Sequence, residues 1–369
     1  MQLQTRRLGR TNLNVSIVGF GGTWISEIDL PTAVDVVRRA FELGINYFDT
    51  ARWDGDSEAK IGCALKDTRD KCIIATKTGS RTKAESIDDL KRSLQLLQTD
   101  HVDIIQLHGI DDEKTLAKAM SSDGALQTCK QAQKKKLANF IGITGHKPQI
   151  LAKAIETGEF DMVLVPLNII TRQAEEELLP IAKDLDVGVI AMKPLSAKTS
   201  NLITCTYQPS LSLVSDEPEL KDLLGQNNAQ MVNSLLRCNL SKSIASTIVG
   251  LRSILEVETA ANAGTNYQGL TDIEQKRFNF KLDTYCRDCG LCMSCPEKIN
   301  IPAILRFYTF YSTYGLKNWA RKLYTGLEVK SDKCTKCDLC QQKCPYNLPI
   351  EYMLKEAHKN FVNSSEINR

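Results

Sequence analysis

Val102-Asp103-Ile104-Ile105-Gln106-Leu107-His108 is an apolar run of strand length that ends abruptly in a histidine. Val187-Gly188-Val189-Ile190-Ala191-Met192-Lys193 repeats the form, with a lysine at its end. A strand buried on both faces reads as such a near-continuous run, whereas a half-exposed strand alternates. Working outward, similar runs recur at Val15–Gly19, Tyr47–Thr50, Ile73–Thr76, Phe140–Thr144, Met162–Val165 and Ile244–Val249. Between them lie segments such as Thr32–Leu43, Ile87–Leu97 and Glu175–Leu185, with apolar residues at helical spacing. Eight strand-helix units predict an α/β fold, a (β/α)8 barrel over residues 1–270. An open doubly wound sheet would want GxGxxG in its first turn; Gly19-Phe20-Gly21-Gly22-Thr23-Trp24 has tryptophan where the third glycine belongs. Residues 1–13 read as a small hairpin closing the barrel's bottom. Thr199–Gly225 reads as the longest irregular connection, after the seventh strand and so on the face where barrels keep their sites, as a lid or a plain insertion.

The end of the chain has a different grammar. Cys286-x2-Cys289-x2-Cys292-x2-Cys295-Pro296 is followed by Cys334-x2-Cys337-x2-Cys340-x3-Cys344-Pro345. Two such quartets match the bacterial ferredoxin spacing, with the last interval of the first one residue short. Three cysteines at x2 intervals point into one pocket, and the fourth reaches the other cluster. One [4Fe-4S] cluster is therefore expected on Cys286, Cys289, Cys292 and Cys344, the other on Cys334, Cys337, Cys340 and Cys295. A zinc site would pair CxxC units and leave the third cysteine unexplained. A disulfide framework belongs to small secreted domains. Asp272–Phe280, Ile304–Tyr314 and Trp319–Leu327 are helix-like, so residues 271–369 read as a mainly helical, dicluster ferredoxin-like domain.

Composition narrows the setting. No apolar run resembles a signal peptide or a membrane span. With 13 cysteines, that implies a reducing, cytoplasmic location. Cys63, Cys72, Cys129, Cys205 and Cys238 read as buried thiols. From Lys276 onward 16 Lys and Arg face 9 Asp and Glu, a net +7 that leaves −4 of the total +3 to the rest. A basic tail beside iron ligands either offsets the negative clusters or docks an acidic electron carrier such as a ferredoxin. Nucleic-acid binding is not expected.

In a barrel, polar residues at the carboxyl ends of strands form the site. The second, third and fourth strands end in Asp49, Lys77 and His108. Here the chain resembles the aldo/keto reductase family, in its subgroup with a carboxy-terminal dicluster domain. The resemblance rests on Arg7-Leu8-Gly9-Arg10-Thr11-Asn12-Leu13, Gly19-Phe20-Gly21-Gly22, Phe48-Asp49-Thr50-Ala51, Gly55-Asp56-Ser57-Glu58, Ala75-Thr76-Lys77, Gln106-Leu107-His108, Ala191-Met192-Lys193-Pro194-Leu195 and Val249-Gly250-Leu251-Arg252. It implies NAD(P)H-linked carbonyl reduction with an Asp, Tyr, Lys and His tetrad, of which Asp49, Lys77 and His108 match three. It also implies cofactor contacts at Gly22, Thr23, Thr144, Asn168, Lys193, Gly250 and Arg252.

Asp54 stands where the family has its proton-donating tyrosine. Beside Lys77 a carboxyl is expected to be an anion, unless burial near Asp49 raises its pKa. Otherwise His108 or Lys77 becomes the better donor. Tyr47 shares that side of its strand. Leu164 and Leu167 align where relatives hold and stack the nicotinamide, Thr144-Gly145-His146 replaces Ser-Asn, and Glu256 replaces the residue that clasps a 2′-phosphate. These departures weaken NAD(P)H, leave a flavin open, and favour single electrons delivered through the clusters. Three functions follow: a cluster-fed reductase of a small carbonyl compound, a conventional NAD(P)H-dependent enzyme with structural or redox-sensing clusters, or a non-catalytic sensor of nicotinamide or a partner.

Overall fold

The structure, a computed structural model, describes residues 3–169, 171–195, 225, 227–278, 286, 289–312 and 317–362. The chain divides into two compact units, one of Met1–Ser196 with Val232–Thr271 and the other of Ala197–Met231 with Asp272–Arg369.

The first unit is a closed barrel of parallel strands: β3 (Val18–Gly21), β4 (Tyr47–Asp49), β5 (Ile73–Thr78), β6 (Val102–Leu107), β7 (Ala138–Thr144), β8 (Met162–Pro166), β9 (Gly188–Met192) and β10 (Ser246–Gly250), with β10 closing against β3. The expected first strand, Val15–Gly19, is broken by a bend at Ile17. Its first half is β2 (Asn14–Ser16), antiparallel to β1 (Thr5–Arg7). Periodicity could not see the bend, because Val15 and Val18 are both fully buried. The hairpin lies over the amino ends of the strands, as expected. Arg6 donates to the carbonyls of Leu240 and Ile244, and Arg10 to those of Gly158 and Phe160. Gly9, at φ +47°, packs so closely that a Cβ there would lie 2.3 Å from the Gly188 nitrogen. A side chain would have to break the seal.

Helix starts follow local chemistry. Asp29 caps α1 (Leu30–Glu42) by accepting from the Thr32 N–H at 3.0 Å, and Asp112 caps α4 (Glu113–Met120) through the Thr115 N–H at 2.7 Å. Thr82 opens α3 (Lys83–Leu97), and Ser253 caps the helix Ile254–Thr265, each three residues before a glutamate. Each cap satisfies an amide that the helix itself leaves unpaired. Inside the barrel, Tyr47, Ala75, Ile104, Met162, Leu164, Ile190 and Ile248 interlock. Each fully buried large side chain of this kind contributes about 1.5–3 kcal/mol.

The second unit is helical among its described residues, with Asp272–Phe278, Ile301–Ser312, Lys317–Thr325 and Ile350–Val362. The two central helices start two or three residues earlier than expected. Tyr324 is its anchor: the hydroxyl meets Ser331 Oγ at 2.9 Å and His358 Nδ1 at 2.6 Å, and the ring packs on Phe361. Apart from Gly225, the segment Thr199–Gly225 lies outside the described residues, as does Cys205. No described helix is long and apolar enough to cross a membrane.

Candidate active site at the carboxyl end of the barrel

Strand register assembles the site. Asp49 pairs with Ala75, and Lys77 with Gln106, so alternate side chains of β4, β5 and β6 rise together toward the mouth. Lys77 Nζ donates to Asp49 Oδ1 and, at 2.8 Å, to the Thr50 carbonyl. Gln106 Nε2 donates to Asp49 Oδ2 at 2.8 Å. Burial pushes the Asp49 carboxyl upward, while Lys77 and Gln106 pull it back. With Asp49 3% and Lys77 4% exposed, the pair is sealed from water. Gln106 was missed as a site residue; its position two before His108, on the same side of β6, was the available signal.

The loop after β4 is held just as firmly. Glu58, fully buried in α2 (Ser57–Leu65), accepts from Thr76 Oγ1 at 2.6 Å and pairs with Arg52. Thr50 Oγ1 and Ser57 Oγ share a hydrogen bond of 2.9 Å. This loop carries Asp54. Its pKa is raised, with burial the largest cause; Lys77 opposes, Asp49 adds to the rise, and a hydrogen bond with Thr23 opposes. Of the two directions weighed from the sequence, the rise through burial prevails over the downward pull of the ammonium. His108 is corrected too. Burial first, then Lys77, Arg81 and His146, lower it to about 3, so it is a neutral imidazole and not a cationic acid. Its Nδ1 is buried with no hydrogen-bond partner among the described residues, and Asp49 binds Lys77 and Gln106 in the bonds above. Tyr47 is buried in the barrel interior, its phenol pushed well above the ordinary value by burial. It stays neutral and belongs to the core.

The expected cofactor contacts lie at the same end of the barrel. A Cβ on Gly22 would meet Ser57 Oγ at 2.5 Å and the Asp49 carbonyl at 2.9 Å. Thr23 contacts Asp54, and the buried Thr144 accepts from the Ile110 N–H through its carbonyl. Asn168 uses its amide to donate to the Lys193 carbonyl at 2.9 Å and to accept from the Thr171 N–H at 2.8 Å. Lys193, at φ +61°, meets His146 Nε2 at 2.7 Å. Trp24 covers Gly250 so closely that a Cβ there would lie 1.9 Å from Cδ1. Arg252 pairs with Glu27 at 3.2 Å, and its backbone N–H donates to Glu256 Oε2 at 2.7 Å. Leu164 and Leu167 are both buried.

In the second unit the cysteine runs face each other. The turn Leu291–Ser294, holding Cys292, packs on Leu339–Gln342, holding Cys340, and Lys343 donates to Ser294 Oγ at 2.8 Å. Burial, followed by Cys286 and Cys289, pushes the Cys292 thiol up to about 12. Cys295, Cys334, Cys337 and Cys340 line one cavity. Among the described residues no three His, Cys, Asp or Glu side chains converge as one metal ion requires. Of the isolated cysteines, Cys72, Cys129 and Cys238 are buried as expected, whereas Cys63 is partly exposed.

A neutral His108 has a visible signature. Its imidazole proton resonances are expected to stay fixed between pH 5 and 8, because the folded value near 3 lies far below the ordinary 6.5. Its contribution to stability is therefore fully present above pH 6.5 and is lost as the pH falls toward 3. A His108 titration centred near 6.5 would contradict this.

Comparison with known proteins agrees with the barrel. The family model for the aldo/keto reductase family matches residues 17–268. L-galactose dehydrogenase of Arabidopsis thaliana is 32% identical over 299 residues, 73% of this chain and 90% of that protein. The NADH-specific methylglyoxal reductase of Escherichia coli is 26% identical over 226 residues, 55% of this chain and 68% of that protein. The holo form of an aldo-keto reductase from Bacillus halodurans superposes with a TM-score of 0.63 at 25% identity, over 75% of this chain and 95% of that one. The chain belongs to the aldo/keto reductase family and is an oxidoreductase.

Proposed function

We propose that the protein interconverts a small carbonyl compound and its alcohol at the barrel mouth, with Asp54 handling the proton. The observation that carries this reading is a partly buried carboxyl whose pKa is raised, next to the locked pair Asp49–Lys77. Protonated Asp54 gives its carboxyl proton to the substrate oxygen, and Lys77 stabilises the carboxylate left behind. Asp49 and Gln106 hold the Lys77 ammonium in place; neutral His108 offers a hydrogen bond without adding charge.

A nicotinamide would supply the hydride. Similarity to dehydrogenases and to an NADH-specific reductase favours this route over the cluster-fed one expected from the sequence. Leu164 and Leu167 offer apolar walls but no amide to hold the carboxamide. Glu256 beside the Arg252 backbone disfavours a 2′-phosphate, which points to NADH over NADPH. Asp54→Asn is expected to lower kcat by about 10²- to 10⁴-fold with KM little changed, the usual weight of a general acid. Asp54→Tyr is expected to retain carbonyl reduction. An Asn variant with the parent rate would exclude the proton role.

A second reading has its own support. Trp24 over Gly250 and Glu27 on Arg252 take up space and charge that a diphosphate would use. The cavity lined by Cys295, Cys334, Cys337 and Cys340 matches one expected ligand set, including the crossed-over cysteine. A cubane spreads its thiolates more widely than a single ion does, and positive iron would relieve the crowding of thiols around Cys292. In this reading residues 271–369 form an iron-sulfur domain in a reducing, cytoplasmic setting, and an acidic carrier such as a ferredoxin feeds one electron at a time. Anaerobic protein is then expected to contain about eight iron and eight sulfide per chain. Substrate-dependent reoxidation of ferredoxin-reduced protein would favour the cluster route; colourless, iron-free protein active with NADH would eliminate it.

A further inference from the structure

Lys193 follows β9 with its backbone in the left-handed region, at φ +61°. Asn168 holds that bend by donating to the Lys193 carbonyl at 2.9 Å. A side chain strains such a backbone, and strain of this kind gathers at functional sites. The Lys193 amine lies 2.7 Å from His146 Nε2, and the carboxylate of the group, Asp111, is bound on the far side of the imidazole. Asp111 Oδ2 is 3.2 Å from His146 Nδ1, and Oδ1 accepts from the His146 backbone N–H. Gly145 lets these two loops meet: a Cβ there would lie 2.3 Å from the Ile110 carbonyl oxygen and 2.9 Å from Asp111 Oδ1. The loops after β6, β7 and β9 thus supply a carboxylate, an imidazole and an amine in a row. His146 is near enough to His108 to help lower it, which places the row at the barrel mouth. The His146 side chain is 41% exposed and so open to a ligand.

The order of the groups fixes where the protons sit. Burial pushes the Asp111 carboxyl up, but its bonds with His146 prevail and hold it below the ordinary range, as an anion. An anionic carboxylate facing Nδ1 keeps the imidazole proton there and leaves a lone pair on Nε2. That lone pair faces the ammonium. A proton leaving Lys193 therefore has His146 as its acceptor, and Asp111 stabilises the imidazolium that results. A plain ion pair would seat the ammonium directly on the carboxylate and leave the imidazole out.

We propose that Lys193 is an imine-forming amine, with His146 as its base and Asp111 holding His146, so that the mouth binds aldehydes covalently. His146 takes one proton from the ammonium, the amine attacks the carbonyl carbon, and His146 returns that proton to the oxygen. A second amine proton follows to the same oxygen, the C–O bond breaks, and water leaves. The third proton stays on the iminium nitrogen, so atoms and charge balance and no electron is transferred. The imine needs neither Asp54 nor a nicotinamide.

The test treats the full chain, without nicotinamide, with acetaldehyde and cyanoborohydride at neutral pH, and maps the ethylated lysines by peptide mass spectrometry. Lys193 is expected to be ethylated about tenfold faster than an exposed lysine such as Lys91. His146→Gln keeps the amine and removes the base, so the rate at Lys193 is expected to fall about tenfold or more, to that of Lys91. Ethylation of Lys193 no faster than Lys91 in the parent chain would overturn the assignment, whatever the variant does. Fast ethylation that persists unchanged in folded His146→Gln would overturn the relay. Should that variant not fold, Asp111→Asn removes the anion that holds the imidazole, and an unchanged rate there counts equally against the relay. NADH-linked turnover is followed on separate samples, so a failure of the carbonyl–alcohol reaction and a failure of imine formation are told apart.

Discussion

A lysine and an aspartate sealed together inside the barrel mouth are what the rest of the site depends on. Two opposite charges removed from water are costly unless every remaining hydrogen bond is met. Here the Thr50 carbonyl accepts from Lys77 and the Gln106 amide donates to Asp49, which fixes the position of the ammonium and the orientation of the carboxylate. Removing either partner would leave an uncompensated buried charge, at a cost of about 3–5 kcal/mol. The pair also sets the electrostatics of its neighbours. The ammonium helps keep His108 neutral, and Asp49 adds to the rise that burial gives Asp54. One buried ion pair thus links the strand register to the protonation states at the mouth.

The aspartate that the family resemblance sets where a tyrosine is expected faces a different requirement in that setting. A phenol must be lowered toward neutrality to give its proton, whereas a carboxyl must be raised. The same lysine cannot do both, so the aspartate needs desolvation to overcome it. The loop from Ala51 to Asp56 supplies this through packing, since buried Glu58 ties Arg52 and Thr76 to the helix behind it. The proton role proposed for Asp54 therefore depends on the packing of this loop.

Much of this was legible beforehand. The continuous apolar runs gave the closed barrel, and Asp49, Lys77 and His108 were named because polar residues at the carboxyl ends of barrel strands line the mouth. What stayed hidden depends on three-dimensional crowding. The bend at Ile17 lies within an unbroken apolar run. The sign of the Asp54 shift depends on how much protein surrounds it, and the sequence shows only which charges are near. Gln106 reads as an ordinary polar residue until its amide is seen on Asp49. Trp24 and Glu27 were not expected to cover Gly250 and Arg252, because contacts between the first and last strands of a barrel leave no local pattern. The cysteine spacing, by contrast, is a local signal, and the two runs do pack on each other.

The protonation state of Asp54 tests this account most directly. Infrared difference spectroscopy of protein with ¹³C-labelled aspartate carboxyl groups, referenced to Asp54→Asn, isolates the carboxyl stretch of this one residue across a pH series. The account expects the protonated band to persist to a midpoint above the ordinary value of 3.8. A midpoint at or below 3.8 would mean that Lys77 overrides burial, and Asp54 would then be an anion with no proton to give.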